Sequence, residues 1–514
     1  MKKNIVKTFS SIFIITLAVK ILGLLRDIFF AKYYGTGYVA SAYLAATRIP
    51  TQLLDIGLGA AITSTFIPIF NKILQKDGKE KANDFAGNFI NIIATLATLI
   101  SVLGIIFAPQ VVNLLAGGFD ERTFNLTVEL IRITFPMIIF TAIAYSFVGF
   151  LQSYGNFNIP AMISGISNLA IIIFLVLFRE KFGIHGVATF MLIAWALQVI
   201  VQLPSAFKNG YRFKLKMNFK DENIKKVFLL AIPIIISTSV LPINNLVSTR
   251  LASGMGESMV AALDYSYKLY IVIVGVISYA IGNILFPELS RLISSDNKEK
   301  FVEIVNKSIR VLAYILIPLT VGIIIYRSDL IRVIYQRGEF NETSTLLTST
   351  ALLFYSIGMI GFGIVEVMNK SFYSMQDAKT PLKVGIIVVI CNVILSIVLA
   401  KILNFKGLAL STAITSIINA VILIIFANRK NKGIITIELV KTIMKVIVCS
   451  YIMGSCVCLI NNILCINTTM IFSIIKMVVG AISGIIIYYL FTLLLEVEES
   501  KIPIEYVKNK LRKN

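Results

Sequence analysis

Apolar stretches long enough to cross a bilayer follow one another along this chain with little polar sequence between them, and this limits what it can fold into. A helix needs about 20 mainly apolar residues to span the hydrocarbon layer. Runs bounded by charge or by Gly/Pro clusters place spans near residues 8–34, 41–70, 85–108, 127–152, 160–178, 184–207, 224–250, 259–290, 301–326, 343–374, 381–403, 407–428, 439–460 and 470–495. Spans of that length, fourteen in number, use roughly 280 residues, a little over half of the 514. Composition agrees: 57% of residues are apolar and 15% charged, against about 45–50% and about 25% in soluble domains. An ordinary soluble enzyme is excluded.

The formal charge of +21 would raise the question of nucleic acid in a soluble protein, but its distribution points to topology and to no nucleic-acid partner. Counting from a cytoplasmic N-terminus, the connectors on that side hold 27 Lys and Arg and those on the other side hold 8. This bias orients both termini inward and fits an even span count. The start, Met1 to Lys7 with an apolar run behind it, has no small-residue cleavage site and reads as a retained first helix. Cys391, Cys449, Cys456, Cys458 and Cys465 lie in apolar stretches without a CxxC pair and read as small buried hydrophobes. One histidine, His185, leaves little room for a zinc site or a His-based triad. No cofactor is expected.

The chain also repeats itself. Gly117-Gly118-Phe119-Asp120-Glu121 aligns with Gly338-Glu339-Phe340-Asn341-Glu342 at an offset of 221, as do Ser153 to Pro160 with Ser374 to Pro381 and His185 to Ala188 with Lys406 to Ala409. Ala61-Ile62 and Pro68 align with Ala280-Ile281 and Pro287 at 219. Six spans make an even repeat unit, so the halves share one orientation and enclose a central path. The expected fold is an all-α polytopic membrane protein with fourteen transmembrane helices: a six-helix bundle over 1–207, a parallel six-helix repeat over 208–428, and an added helix pair with a basic cytoplasmic tail over 429–514.

Ionisable side chains at membrane depth are costly and mark functional positions by default. The first two spans carry Lys20, Arg26, Asp27, Arg48 and Asp55; the seventh and eighth carry Arg250, Asp264 and Lys268; the tenth carries Glu366 and Lys370. Lys268 is the repeat partner of Arg48 at offset 220, so each half offers a cation, which suits an anionic group such as diphosphate. The plainer reading stands beside it: Asp27 adjoins Arg26, Lys370 follows Glu366 by one helical turn, and both can be internal pairs, while Arg250 can snorkel to an interface. Nine prolines in or beside spans, among them Pro50, Pro68, Pro233 and Pro318, suit bent helices.

The blocks Lys20-Ile21-Leu22-Gly23-Leu24-Leu25-Arg26-Asp27, Ala31-Lys32-Tyr33-Tyr34-Gly35, Phe66-Ile67-Pro68, Tyr265-Ser266-Tyr267-Lys268-Leu269, Leu285 to Ser290, Tyr335 to Phe340 and Ala378-Lys379-Thr380-Pro381 resemble the MurJ (MviN) lipid II flippases of the multidrug/oligosaccharidyl-lipid/polysaccharide exporter superfamily. The resemblance implies alternating-access movement of the undecaprenyl-diphosphate-linked disaccharide peptide from inner to outer leaflet of the bacterial cytoplasmic membrane for cell wall biosynthesis. It implies partners in the cell wall synthesis machinery and a groove for the polyprenyl tail on the added helix pair. The family's cavity arginines fall on Lys20, Arg26 and Lys268, two of them changed to lysine, which keeps the charge but not the bidentate fork. Arg48 joins these as a diphosphate ligand, with Asp27, Arg250 and Lys370 as further cavity charges. A third family arginine falls on Leu54, an acidic residue on Ser41, and the Gly-Glu-Gly-Ala segment reads Leu58-Gly59-Ala60-Ala61. The sodium site of some members would fall on Ser248, Asn392, Ser396 and Thr412, without the carboxylates a hard cation favours. Membrane potential acting on a cationic cavity is a candidate energy source.

Four rival readings make different demands. A flippase for another polyprenyl-linked glycan needs the same charges, a drug/cation antiporter needs acidic cavity residues, and an enzyme on lipid-linked sugars needs paired carboxylates or a metal cluster on one aqueous face. A scaffold would tolerate neutralisation of Lys20, Arg26 and Lys268 together.

Overall fold

In hydrocarbon a backbone must satisfy its own hydrogen bonds, so spans this apolar close as helices. A computed structural model describes residues 2–463 and 469–501, and among these the regular elements are helical with no strand. In chain order they are α1 (Lys2–Tyr34), α2 (Tyr38–Arg48), a π-helical turn (Ile49–Leu54), α3 (Asp55–Ile106), α4 (Ala108–Ala116), α5 (Glu121–Thr134), α6 (Met137–Ser153), α7 (Asn158–Leu177), α8 (Arg179–Lys208) and α9 (Glu222–Ala252). The second half adds α10 (Met259–Ser294), α11 (Lys298–Tyr335), α12 (Glu342–Ser356), α13 (Met359–Ser374), α14 (Lys379–Leu403), α15 (Phe405–Lys430), α16 (Ile437–Ile463), α17 (Met470–Leu494) and a closing 3₁₀ turn (Glu498–Lys501). Ten of the described helical stretches are long and apolar enough to cross a membrane, or eleven when α12 and α13, bent by 49° at their junction, count as one.

Two expectations need correction. The segment 71–84, expected as a connector, is helical within α3 and broken at Gly78, whose φ is +87°. Lys, Glu and Ala around that glycine favour helix, so the charge of the segment does not unwind it. The second expected span is not one helix: it runs through α2, the π turn and the start of α3. Cys465 and the basic tail 502–514 lie outside the described residues, as do the side chains of Leu54, Asp55 and Leu58. Of the described cysteines only Cys449 is buried; Cys391 and Cys456 are half-buried and Cys458 is exposed.

The chain divides into two compact units, Met1–Ala261 with Gly338–Phe340, and Ala262–Arg337 with Asn341–Asn514. In the first, α3 packs on α6 and α9, α1 on α7, and α2 on α5. Phe66 stacks on Phe85 and Phe89 there, and Phe70 meets Phe150 edge-on. The helix α9 is therefore packed with the first unit, although by sequence it opens the second repeat. In the second unit Phe301, Val305, Ile309, Met368, Phe372 and Leu423 form one core. A smaller core of Tyr326, Cys449, Met453, Val457 and Tyr488 joins α11 to α16 and α17.

Backbone detail recurs at the sequence offset of 221. Left-handed conformations occur at Gly35 and Gly256, at Gly155 and Gln376, and at Gly183 and Asn404. The carboxamide of Asn156 accepts from the Ile159 amide as the Asp377 carboxylate does from Thr380, and Asp120 and Asn341 cap α5 and α12. Burial opposes ionisation of Asp377, but hydrogen bonds from Lys430 and Thr380 outweigh it and hold the carboxyl at about 2. The folded value lies below the unfolded one, so its stabilisation is full above about pH 4 and is lost as pH falls towards 2. Asp377→Asn is expected to cost about 1–2 kcal/mol at neutral pH and to flatten that acid limb. Thermal unfolding of both proteins between pH 2 and 6 checks this, and identical profiles would refute it.

Candidate functional site

The charged positions in the first unit are held by partners distant in sequence. On α1, Arg26 donates to the Asp27 carboxylate at 2.9 Å and to the Asn168 carboxamide oxygen of α7 at 3.0 Å. Approach there is close: a Cβ on Gly23 would stand 3.4 Å from the Asn168 side chain, and one on Gly165 would meet Val19 at 2.8 Å. Both guanidinium edges are thus engaged, and the plane of the group is fixed. Arg48 closes α2 just before the π turn, is only 7% exposed, and donates to the main-chain oxygen of Asn245 in α9 at 3.1 Å. A π turn beside a buried arginine is a frequent mark of a functional position. Lys20 lies on an exposed face of α1, and Arg250 is exposed near the end of α9.

In the second unit Lys268 and the buried Asp264 form a pair at 2.8 Å, one turn apart on α10. Tyr267 and Tyr270 flank this turn and pack against Tyr355 of α12. Glu366 and Lys370 pair at 3.7 Å on α13, and Gly282 of α10 faces them closely enough that a Cβ would touch the Glu366 and Lys370 side chains. The internal-pair reading of Arg26–Asp27 and of Glu366–Lys370 therefore holds as geometry. Each pair keeps a cation at membrane depth without leaving it isolated.

Of the positions considered for a cation, Asn392 donates to Thr415 at 2.9 Å, Ser396 shares a hydrogen with Ser411 at 2.7 Å, and Thr412 donates to its own helix at Leu408. These side chains join α14 to α15 by hydrogen bonds; Ser248 belongs to the first unit. No cluster of three or more His, Cys, Asp or Glu suited to a metal occurs among the described residues.

Three features escaped the sequence reading. Asn168 could not be assigned to Arg26 across 142 residues. Asp264 could have been, because its spacing to Lys268 equals that of Glu366 to Lys370. The helix pair α16–α17 is also less purely apolar than it reads: Lys476 of α17 pairs with the Asp329 carboxylate at 3.3 Å, Arg332 reaches the same group at 3.2 Å, and Ser473 donates to it at 2.8 Å. At the other end of α11, Arg310 binds Glu498 and Glu499 at 2.8 and 3.1 Å. Charge pairs thus fasten α17 and the turn after it to α11.

Comparison with known proteins decides the family. The family model described as lipid II flippase MurJ matches residues 30–489. The chain belongs to the lipid II flippase MurJ family. It is a transporter rather than an enzyme, a multi-pass protein of the bacterial inner membrane. A probable lipid II flippase MurJ of Rhizobium tropici is 29% identical over 468 residues, covering 89% of this chain and 87% of the relative. The structure of a lipid II flippase MurJ in an inward closed conformation superposes with a TM-score of 0.81 at 26% identity, over 94% of this chain and 99% of that one. An inward-facing multidrug resistance MATE family transporter of the MOP superfamily, 15% identical with a TM-score of 0.68 over 82% of this chain and 98% of its own, shares the fold. For this flippase the family match takes in the Lys268 block and begins at residue 30, just after the Lys20–Asp27 block.

Proposed function

We propose that this flippase holds the diphosphate of its undecaprenyl-linked disaccharide peptide with Lys20, Arg26, Arg48 and Lys268 while it carries the lipid from the inner to the outer leaflet by alternating access. The observation that carries the reading is that Arg26, Arg48 and Lys268 are each fixed in place: Arg26 by Asp27 and Asn168, Arg48 by the Asn245 carbonyl, and Lys268 by Asp264. A positioned cation loses little freedom when an anion arrives. Asp27 and Asp264 occupy the cations when no substrate is bound, which lowers the cost of the empty transporter's return, and the diphosphate competes with them on loading. Arg250 and Lys370 add to the positive field.

Counting α1 and α9 with the eleven apolar stretches, and dividing α3 at Gly78, gives fourteen spans. The repeat halves are 1–207 and 208–428, each of six spans, with 429–514 the added pair that seats the polyprenyl tail, and both termini are cytoplasmic. The recurring left-handed positions and the Lys/Arg bias support this arrangement. Delivery of the product to the outer leaflet makes the cell wall synthesis machinery the natural partner. Membrane potential acting on the cations drives the cycle, with the hydroxyls and amides of Ser248, Asn392, Ser396 and Thr412 offering at most a weak cation site.

Direct binding tests the assignment. Purified protein titrated with the lipid-linked disaccharide peptide is expected to lose about 10-fold in affinity on Lys268→Ala, with Lys268→Arg close to the parent. Unchanged affinity in a folded Arg26→Ala/Lys268→Ala double variant would remove these residues from the diphosphate site.

A further inference from the structure

The connector between α8 and α9 is longer than its crossing requires. After the left-handed Gly210 eleven residues, 211–221, lead to α9, whereas after the left-handed Gly433, its counterpart, three residues, 434–436, lead to α16. Both crossings are anchored alike. Tyr211 is buried against Phe147 and Phe150 as Ile434 is buried in its own core, and an asparagine binds each connector's main chain, Asn91 of α3 in the first and Asn306 of α11 in the second. The extra residues are not needed to close the turn.

Those residues alternate in character, Arg212, Lys214, Lys216 and Lys220 against Phe213, Leu215, Met217 and Phe219, and they turn twice, the Lys216 amide donating to the Lys214 carbonyl and the Asp221 amide to that of Asn218. The apolar side chains are open, with Leu215 81% and Phe213 66% exposed. Nor is the strand loose. Asn91 donates to the main-chain oxygens of Lys214 and Lys216 at 2.7 and 3.1 Å, Asn88 exchanges two hydrogen bonds with the main chain of Asn218, and Lys214 pairs with Asp84 at 2.7 Å. A strap clamped by α3 therefore leaves Phe213, Leu215 and Phe219 open with cations beside them, while the Met217 sulfur accepts from Thr95 of α3. The stretch 208–226 holds seven Lys and Arg against Asp221 and Glu222, on the face that the charge bias assigns to the cytoplasm.

We propose that residues 211–220 form an interfacial strap that seats the first unit on anionic phospholipid, the apolar side chains entering the headgroup–acyl boundary and Arg212, Lys216 and Lys220 binding headgroup phosphates. Alternating apolar and basic side chains of this kind combine burial of apolar area with attraction to an anionic surface. An aqueous protein partner would have to cover the same apolar groups without meeting the bilayer from which the flanking helices emerge.

The sequence has one tryptophan, Trp195, so Leu215→Trp in a Trp195→Phe background places a single indole on the strap. The full chain is reconstituted in phosphatidylcholine vesicles carrying equal fractions of brominated phosphatidylglycerol or brominated phosphatidylcholine. The indole is expected to be quenched at least about twofold more by the brominated anionic lipid, and the excess is expected to vanish when Arg212→Gln/Lys216→Gln/Lys220→Gln is added. Equal quenching by both lipids, an excess that survives the triple change, or quenching by aqueous iodide as complete as for free indole would each overturn the proposal. Because the signal comes from the strap itself, failure here leaves the assignment of the diphosphate ligands untouched.

Discussion

Alanine at Arg26 is expected to abolish support of growth in cells that depend on this flippase, with transport falling at least about 100-fold. The side chain engages Asp27 and Asn168 at once, so its loss removes a cation from the diphosphate site and takes the guanidinium contact away from both. The first effect weakens a charge-assisted contact and the second destabilises the fold by a few kcal/mol. Two companions separate them. Arg26→Lys keeps the charge and is expected to retain part of the activity, whereas Arg26→Ala/Asp27→Asn removes the carboxylate together with the guanidinium it faces and is expected to recover protein abundance without recovering transport. Recovery of transport in that double variant would show that Arg26 serves the fold alone.

Valine at Gly338 is expected to have the largest structural effect. Its φ is +60°, a conformation that costs a β-branched residue well over the 1–2 kcal/mol of the ordinary left-handed penalty. A Cβ there would lie 2.3 Å from the main-chain oxygen of Lys32. That oxygen accepts from the Glu339 amide at 2.9 Å, and Gly35, also left-handed, faces the Glu339 carbonyl with no room for a side chain. Neither backbone can yield without breaking the hydrogen bond, so Gly338→Val is expected to cost about 3–5 kcal/mol and to reduce membrane abundance several-fold. Gly155→Ala supplies the contrast. Its φ is +78° but nothing stands within 4 Å of a Cβ, so about 1 kcal/mol is expected from backbone strain alone. Comparable abundance for the two variants would refute the close-approach explanation.

What could be read from sequence follows from what hydropathy encodes. Apolar length gives the existence of spans, because each must cover the same hydrocarbon thickness. It does not give their internal breaks: α5 and α6 part at Phe135-Pro136 and α12 and α13 at Ile357-Gly358, with apolar residues on both sides of each break. Nor does it register that 71–84 stays helical outside the bilayer. The repeat was visible where residues match, yet Gly183 and Asn404 share a left-handed backbone with different side chains, since both types tolerate that region. Within the site, pairs one turn apart on a helix were open to arithmetic, as Glu366 and Lys370 show. The Arg26–Asn168 contact and the Arg48 bond to a main-chain oxygen depend on tertiary packing, and an acceptor that is backbone leaves no residue-type signal. The packing of α9 with the first unit is likewise a property of the folded chain and not of its repeat.

The central claim is movement of the lipid-linked peptidoglycan precursor across the membrane, and it is tested most directly in cells where this chain is the sole flippase and can be depleted. An externally added enzyme that cleaves the precursor reports how much has reached the outer leaflet. Depletion is expected to protect the precursor from cleavage while its total rises, with the parent restoring accessibility and Arg26→Ala failing to do so. A precursor that stays fully accessible after depletion would contradict the claim.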